Sequence, residues 1–425
     1  MGKRIVIATA GSLGDLHPYM AIALELKARG HEAVIATAEY YRTKIEAEEI
    51  GFRPIRPNIT PDKRIVEAAM DARTGPEYIF NSIAMPHLRE SFADFAAAAR
   101  GADLILSHPL TIAAPLVAEK YGINWASSVL APLSFFSAYD PPVIGAYPGL
   151  AKLYRLGPWF TRVLFGLGRL RVRSWSTPVR ALRAELGLLP GGDPIFEGQH
   201  SPMLVLALFS SVIAKPQPDW PSQARTTGFA FYDREERDRG MPPELVKFLE
   251  SGPPPIVFTL GSSAVRIAGD FYAASVEAAK RLGRRAVLLV GTDPANVPPG
   301  PLPGDIIACD YAPYSELFPH AAAIVHQGGI GTTAQALRAG RPMLVIPFSH
   351  DQPDNAARVT RLGVARAITR PSYTAARAAA ELQLLLDDPA CAKRAAQIGQ
   401  RVRAENGARA ACDAMDELLA RGSPA

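Results

Sequence analysis

Between Ala321 and Ala339 the chain changes character twice, and few folds accommodate that succession. An unbroken apolar run, Ala321-Ala-Ala-Ile-Val325, has the length of a buried strand rather than of a buried helix. It stops at His326-Gln-Gly-Gly-Ile-Gly-Thr-Thr333, after which Ala334-Gln-Ala-Leu-Arg-Ala339 reads as helix. A glycine turn that leaves a buried strand and opens a helix gathers backbone N–H groups at the positive end of a helix dipole. That is an anion site. A second block, Phe348-Ser-His-Asp-Gln-Pro-Asp-Asn355, follows the apolar run Met343-Leu-Val-Ile346. It puts His350, Asp351, Gln352 and Asn355 just past a strand's carboxyl end, where open α/β sheets bind ligands. These side chains suit hydroxyl groups, so a phosphate cradle stands beside a polyol reader.

The same rhythm runs through the rest of the chain. Residues 3–10 read as a buried parallel strand, Gly11-Ser-Leu-Gly14 as a turn, 18–29 as a helix closed by Gly30, and 33–37 as the next strand. A strand at 103–106 precedes a helix at 112–121. The pattern restarts with Ile256-Val-Phe-Thr-Leu260, the turn Gly261-Ser-Ser263, a helix at 270–282 and a strand at 286–290. Further strands are predicted near 305–309, 322–326 and 343–347, and 374–421 reads as helical. At 425 residues the chain exceeds one ordinary core, so the fold class is α/β with two doubly wound parallel-sheet domains. A proline-rich stretch, 215–255, holds the expected interdomain linker at 233–242. Domain boundaries are placed at 1–235 and 236–405, with a final segment 406–425. The stretch 124–150, with Trp125, Phe135, Phe136, Tyr139 and several prolines, reads as irregular and apolar, suited to a binding pocket or to a packed loop.

Composition narrows the function classes. Hydrophobic content of 48% with 20% charged residues is globular, not disordered. A net charge of +5 fits small anionic ligands better than a nucleic-acid duplex, so no nucleic-acid partner is expected. Cys309, Cys391 and Cys412 have neither metal-knuckle nor disulfide-framework spacing, and no metal-ligand cluster is visible. No resident cofactor or metal is expected. The first apolar run, Ile5-Val-Ile-Ala8, is too short for a signal sequence, and no stretch is long enough to span a bilayer. The expected location is the cytoplasm, with contact to the inner membrane face in view.

The blocks at 326–333 and 348–355 resemble the donor-binding signature of the UDP-glycosyltransferase superfamily, the inverting GT-B enzymes. Gly11-Ser-Leu-Gly-Asp-Leu-His-Pro18 with Gly30-His31 resembles the N-terminal motif of its sterol and lipid branches. Gln217-Pro-Asp-Trp-Pro221 and Thr227-Gly-Phe229 are similar to bacterial rhamnolipid-type rhamnosyltransferases, and bacterial flavonoid glycosyltransferases share much of this. The resemblance covers nearly the whole chain. It implies a GT-B fold, two Rossmann-like domains facing across a cleft, with the last helix returning to the first domain. It implies a nucleotide-sugar co-substrate, UDP-glucose or dTDP-rhamnose, and an apolar acceptor: a flavonoid or other polyphenol, a sterol-like molecule or a hydroxyacyl lipid.

Residue roles follow from the match. Gly328, Gly329, Gly331 and Thr332 would supply N–H and hydroxyl donors to the diphosphate, and His326 stands at the phosphate-contacting histidine. Ser262 and Ser263 resemble the other phosphate contact, although an ordinary N-cap reading is open for them. Tyr311 stands where the family stacks an aromatic on the base; Tyr314 takes a position where it often has Gln, and packing of a loop is the plain alternative. Asp351 and Gln352 would read sugar hydroxyls, with Asn355 tying the loop to the next helix and His350 beside the pocket. Asp15 falls on the catalytic base, a role that a helix N-cap reading does not exclude. Burial beneath an acceptor would raise its pKa. His17 is the second choice as base, and His108 is expected near Asp15 as its partner.

Other classes compete. A GT-B epimerase would want several acids around the sugar and no apolar pocket, a dinucleotide oxidoreductase a Gly-X-Gly-X-X-Gly turn, and a non-catalytic nucleotide-sugar-binding homologue would not need Asp15. The segment 152–183 carries basic residues and no acidic one among Trp159, Phe160, Phe165 and Trp175. Weak contact with a membrane surface, an acceptor channel and a solvated helix face are the three readings it leaves open.

Overall fold

The computed structural model describes residues 2–60, 62–233 and 240–421, so most of the linker expected at 233–242 lies outside the described residues. Two parallel sheets organise the chain. The first holds β1 Arg4–Ala8, β2 Glu32–Thr37, β3 Gly51–Pro54, β4 Leu104–Ser107, β5 Asn124–Val129, β6 Leu204–Ala207 and β7 Ala224–Thr226, in the order β3-β2-β1-β4-β5-β6-β7. The second holds β8 Ile256–Thr259, β9 Ala286–Leu289, β10 Ile306–Cys309, β11 Ala323–His326, β12 Met343–Val345 and β13 Ala365–Ala367, in the order β10-β9-β8-β11-β12-β13. Every neighbouring pair in both sheets is parallel.

The reason lies in the strands. Ile5, Val6, Ile7, Ile256, Val257 and Phe258 are all fully buried, which requires helices on both faces of each sheet. Right-handed crossovers then place each domain's first strand mid-sheet, and the winding reverses between β1 and β4 and between β8 and β11. A doubly wound sheet opens a crevice at that reversal, at the carboxyl ends of its strands. Asp15, His108, Ser262 with Ser263, and His326 lie at or just past the carboxyl ends of β1, β4, β8 and β11.

The final helix, Gly407–Arg421, packs on the first, Leu13–Ala28. Ala411, Cys412 and Met415 are fully buried in the core of the first sheet, and Arg29 bonds Asp413 and Asp416 at 2.7 and 2.9 Å. Among the described residues no helix is long and apolar enough to cross a membrane.

Two expectations need correction. The first helix starts at Leu13, not at Pro18, because Ser12 and Asp15 form a capping box that ends the turn early. Residues 124–129 are a strand, not irregular chain. The serines that hide it are satisfied only at a distance: Ser127 Oγ accepts from Ser201 N (2.8 Å), and Ser128 Oγ donates to the Ser107 carbonyl (2.8 Å).

Candidate functional site

Asp15 is the third residue of the Leu13–Ala28 helix, beside the dipole's positive end. Its Oδ2 accepts from Ser12 N at 2.7 Å and Ser12 Oγ at 3.0 Å. Gly11 makes this possible: at φ +128° it takes a backbone form L side chains avoid, and a Cβ there would lie 2.3 Å from Asp15 Oδ2. On the other oxygen, Oδ1, His108 Nε2 stands at 3.4 Å. Since β1 and β4 are neighbours in register, Ala8 opposite Ser107, the residues that follow them meet. The His108 Nδ1 accepts from Leu110 N at 3.2 Å, which leaves the ring hydrogen on Nε2, aimed at Asp15. His108 is therefore a donor to the carboxylate, and its basic nitrogen is already occupied.

Burial by itself would raise the Asp15 pKa, as the sequence reading expected. The His108 ring donating to it and the Ser12 donors outweigh it and hold the group below the usual carboxylate range. The Asp15 side chain is 31% exposed, so the carboxylate is both fixed and open to a ligand. His17 does not join this pair. Two residues along a helix, it lies about 200° round from Asp15 and packs on Tyr232, with ring centroids 5.1 Å apart. Burial, with the Lys44 charge behind it, lowers its pKa to about 3.

Facing the first helix is the Ile330–Ala339 helix of the second domain. No side chain caps it, and its cap position is Gly329, so its first N–H groups are open to an anion. A Cβ added at Gly331 would meet Gly14 Cα at 3.9 Å, so the two helix N-termini stand against one another across the domain boundary. His326, fully buried, accepts from Gly328 N at 3.0 Å through Nδ1. Among the described residues its Nε2 is buried without a partner, and so are Gln327 Oε1, Thr333 Oγ1 and Asn355 Oδ1. Burial lowers the His326 pKa to about 3, so the ring is a neutral N–H donor. Gly328 has φ +87°, and a Cβ there would lie 2.7 Å from Val345 Cγ1.

The neighbouring turn completes the cradle. Gly261 closes on the Gln327 side chain and on Thr332 Oγ1, and Ser262 and Ser263 follow in the short Gly261–Ala264 helix. Neither serine is an N-cap, since that position is Leu260. Tyr311 is 41% exposed. Tyr314 is engaged elsewhere: its hydroxyl meets Thr259 Oγ1 at 2.7 Å and its ring stacks on Phe318 at 4.4 Å. The loop-packing alternative thus describes Tyr314, and Tyr311 is the more exposed of the two rings.

Past β12, Asp351 Oδ2 accepts from Asn355 Nδ2 at 2.7 Å, and the same amide donates to the Gly328 carbonyl at 2.9 Å. Asn355 thereby joins the polyol block to the glycine turn. Gln352 Oε1 is taken by Phe348 N and Ser349 N, which leaves its amide N–H₂ as the functional end. The Asp351 pKa is raised to about 7, first by burial and then by the charge of Asp15, against the Asn355 hydrogen bond. His350, at φ +57°, faces the Ala69 carbonyl of the first domain, and burial lowers its pKa. Asp15, His350 and Asp351 thus share one electrostatic neighbourhood, although they come from opposite domains.

Sequence reasoning missed the contact that holds the domains in this relation. Arg358, 2% exposed, bonds Asp354 Oδ2 at 2.8 Å on its own helix and also Asp140 of the first domain. Val143 N donates to Asp354 Oδ1 at 3.1 Å. The i,i+4 pair Asp354–Arg358 was a visible signal; Asp140 was not.

Residues 5–132 match the model of the glycosyltransferase family 28 N-terminal domain, and residues 289–417 match the C-terminal domain described as erythromycin biosynthesis protein CIII-like. The chain is 32% identical to the O-mycaminosyltylonolide 6-deoxyallosyltransferase of Streptomyces fradiae, over 97% of each. It is 28% identical to the sterol 3-beta-glucosyltransferase of Leptosphaeria maculans over 98% of this chain, but spans 29% of that longer protein. Among solved structures it superposes on glycosyltransferase VinC in complex with dTDP, with a TM-score of 0.68, 22% identity, and 99% and 100% of the two chains covered.

Proposed function

The chain belongs to the GT-B glycosyltransferases, and from that premise we propose that it moves a sugar, with inversion, from a nucleoside-diphosphate donor on the second domain to a hydroxyl of an apolar acceptor on the first. One observation carries the reading: a carboxylate stands at the N-terminus of one helix, against the uncapped N-terminus of another that is ringed by unpartnered buried polar atoms.

Asp15 takes the proton as the acceptor O–H bond breaks and its oxygen bonds the anomeric carbon. The bond from that carbon to the diphosphate breaks in the same step, which inverts the centre. Negative charge arriving on the diphosphate is met by the N–H groups of residues 330–332, the His326 Nε2–H, and the Ser262, Ser263 and Thr332 hydroxyls. Asp351 and the Gln352 amide bind the sugar hydroxyls, and Tyr311 stacks on the base. A low pKa suits Asp15 in one respect: it keeps the carboxylate ionised, ready to accept a proton, further into acid than an ordinary aspartate.

Donor and acceptor are read from chemistry and from relatives. VinC was solved with dTDP, which favours a dTDP-linked hexose such as dTDP-rhamnose over UDP-glucose. The relatives' names carry O-mycaminosyltylonolide and a sterol, so a bulky, largely apolar alcohol is the preferred acceptor, ahead of a flavonoid or a hydroxyacyl lipid. The test is donor depletion measured for dTDP-rhamnose and UDP-glucose, each with a macrolide aglycone, a sterol, a flavonol and a 3-hydroxy fatty acid. In the active pairing, Asp15→Asn should cut kcat by about 10²–10⁴-fold with donor affinity kept. Turnover within a few-fold of wild type would remove Asp15 as the base.

A further inference from the structure

The Pro158–Val172 helix stands out from the first domain with its apolar side outward. Trp159 is 66% exposed, Val163 51%, Leu167 59% and Leu170 66%. At 3.6 residues per turn these four fall within an arc of about 80°. Arg162, Arg169 and Arg173 flank one edge of the arc and Arg171 the other. Thr161, on the opposite side, is fully buried, and Phe165 packs edge-on against Phe136 at 6.0 Å. The stripe is therefore the face left over after the helix has docked on its own domain, and Leu153 and Leu156 extend it.

We propose that this helix seats the protein on an anionic lipid surface, with Trp159, Val163, Leu167 and Leu170 entering the headgroup boundary and the arginines meeting lipid phosphates. Charge decides the occupant. The segment 152–183 has no acidic residue, and Lys152, Arg155, Arg171 and Arg173 have no ion-pair partner among the described residues. A second copy of the same face would set like charges together. A bilayer bearing anionic lipid offers an apolar interior below a negative plane, which matches a stripe edged by cations. Gly166 and Gly168, where an added Cβ would meet nothing within 4 Å, weaken the helix on its own, so an apolar bed would also steady it. By its inner side the same helix walls a cavity of about 460 Å³, where Phe165 faces Phe135, His200 and Trp220. Docking sets that cavity at the lipid boundary.

The full chain should sediment with phosphatidylcholine/phosphatidylglycerol vesicles at low salt, lose most of that binding near 1 M salt, and stay in solution with phosphatidylcholine alone. Reversing two cations, in Arg171→Glu/Arg173→Glu, should lower the bound fraction ~10-fold or more. Trp159→Ser/Leu167→Ser should lower it comparably while keeping the wild-type Tm, and the blue shift of tryptophan emission on vesicle addition should vanish in Trp159→Phe. Three results would overturn the proposal: no sedimentation of wild type with the anionic vesicles, sedimentation of both double variants equal to that of wild type, or a wild-type dimer in solution that Trp159→Ser dissociates.

Discussion

A single carboxylate carries the proposed chemistry, and its behaviour is set by two residues that touch no substrate. Ser12 and His108 each donate to Asp15, and together they override the effect of burial. Removing His108 takes away a hydrogen-bond donor and the favourable electrostatics beside Asp15, so the carboxyl should titrate higher. The acid limb of kcat/KM should move up in pH in His108→Ala, and His108→Gln, which keeps an N–H donor, should restore part of the shift. An unmoved limb with kcat lowered at every pH would assign His108 a merely structural part. Asp351 runs the opposite way. Its folded-state pKa is raised to about 7, so the stability linked to it is whole below the ordinary carboxylate pKa and is lost as pH rises through 7. Asp351→Asn abolishes that loss. Its Tm should exceed that of wild type increasingly from pH 5 to pH 8, and any limb of kcat/KM near pH 7 should disappear with it. Parallel Tm curves for the two proteins would contradict the assignment. Of these residue facts the Asp15–His108 meeting and the upward push of burial on Asp15 were expected from the sequence, whereas the Ser12 donors that help hold the group down were not. Burial is legible from the apolar flanks, but donors folded back within a capping box are visible only once the backbone turns.

Two glycines, three residues apart in one turn, separate folding from binding at the scale of the element. Gly328 lies in the left-handed region, and a Cβ there meets Val345 at 2.7 Å, inside the core. Gly328→Ala should lower Tm as well as activity, by roughly 1–3 kcal/mol of stability from backbone strain alone. Gly331 is helical and exposed, and a Cβ there finds only Gly14, at 3.9 Å. Gly331→Ala should therefore leave Tm unchanged or raised, by up to about 1 kcal/mol of helix propensity. Donor KM should nevertheless rise several-fold, because the methyl group sits at the anion-binding end of the helix. If both variants lost stability alike, the turn would be a packing feature and not a ligand cradle. The turn itself was plain in the sequence, because glycines after a buried strand have few other uses. Tyr314 shows where such reading stops: its stack on Phe318, four residues along, is local, but its distance from Thr259 depends on how β8 and the segment after β10 are brought together.

The whole molecule is a pair of similar sheets whose crevices are set face to face by contacts between the domains. Arg358 is the centre of one of them, buried between Asp354 on its own helix and Asp140 on the other domain. Arg358→Met would leave a buried Asp354 without its partner, a loss of about 3–5 kcal/mol that should appear as a lower Tm. Arg361→Met, on the exposed side of the same helix, removes only the outer contact to Asp140 and should cost about 1 kcal/mol or less. Equal losses in the two variants would mean the buried pair does not carry the domain contact. The sequence alone determined the α/β class, the two sheets, the glycine cradle and the place of Asp15, because buried strands, glycine turns and helix starts are local patterns of hydrophobicity and backbone freedom. Only the tertiary structure decided that His108 donates and does not accept, that His17 stands apart, that Tyr314 is spent on packing, and that Asp140 clasps Arg358. Each of these rests in part on a distant segment brought within a few ångströms (Asp15 beside His108, Tyr232 beside His17, Thr259 beside Tyr314, Asp140 beside Arg358), and proximity in space is what a linear pattern does not encode.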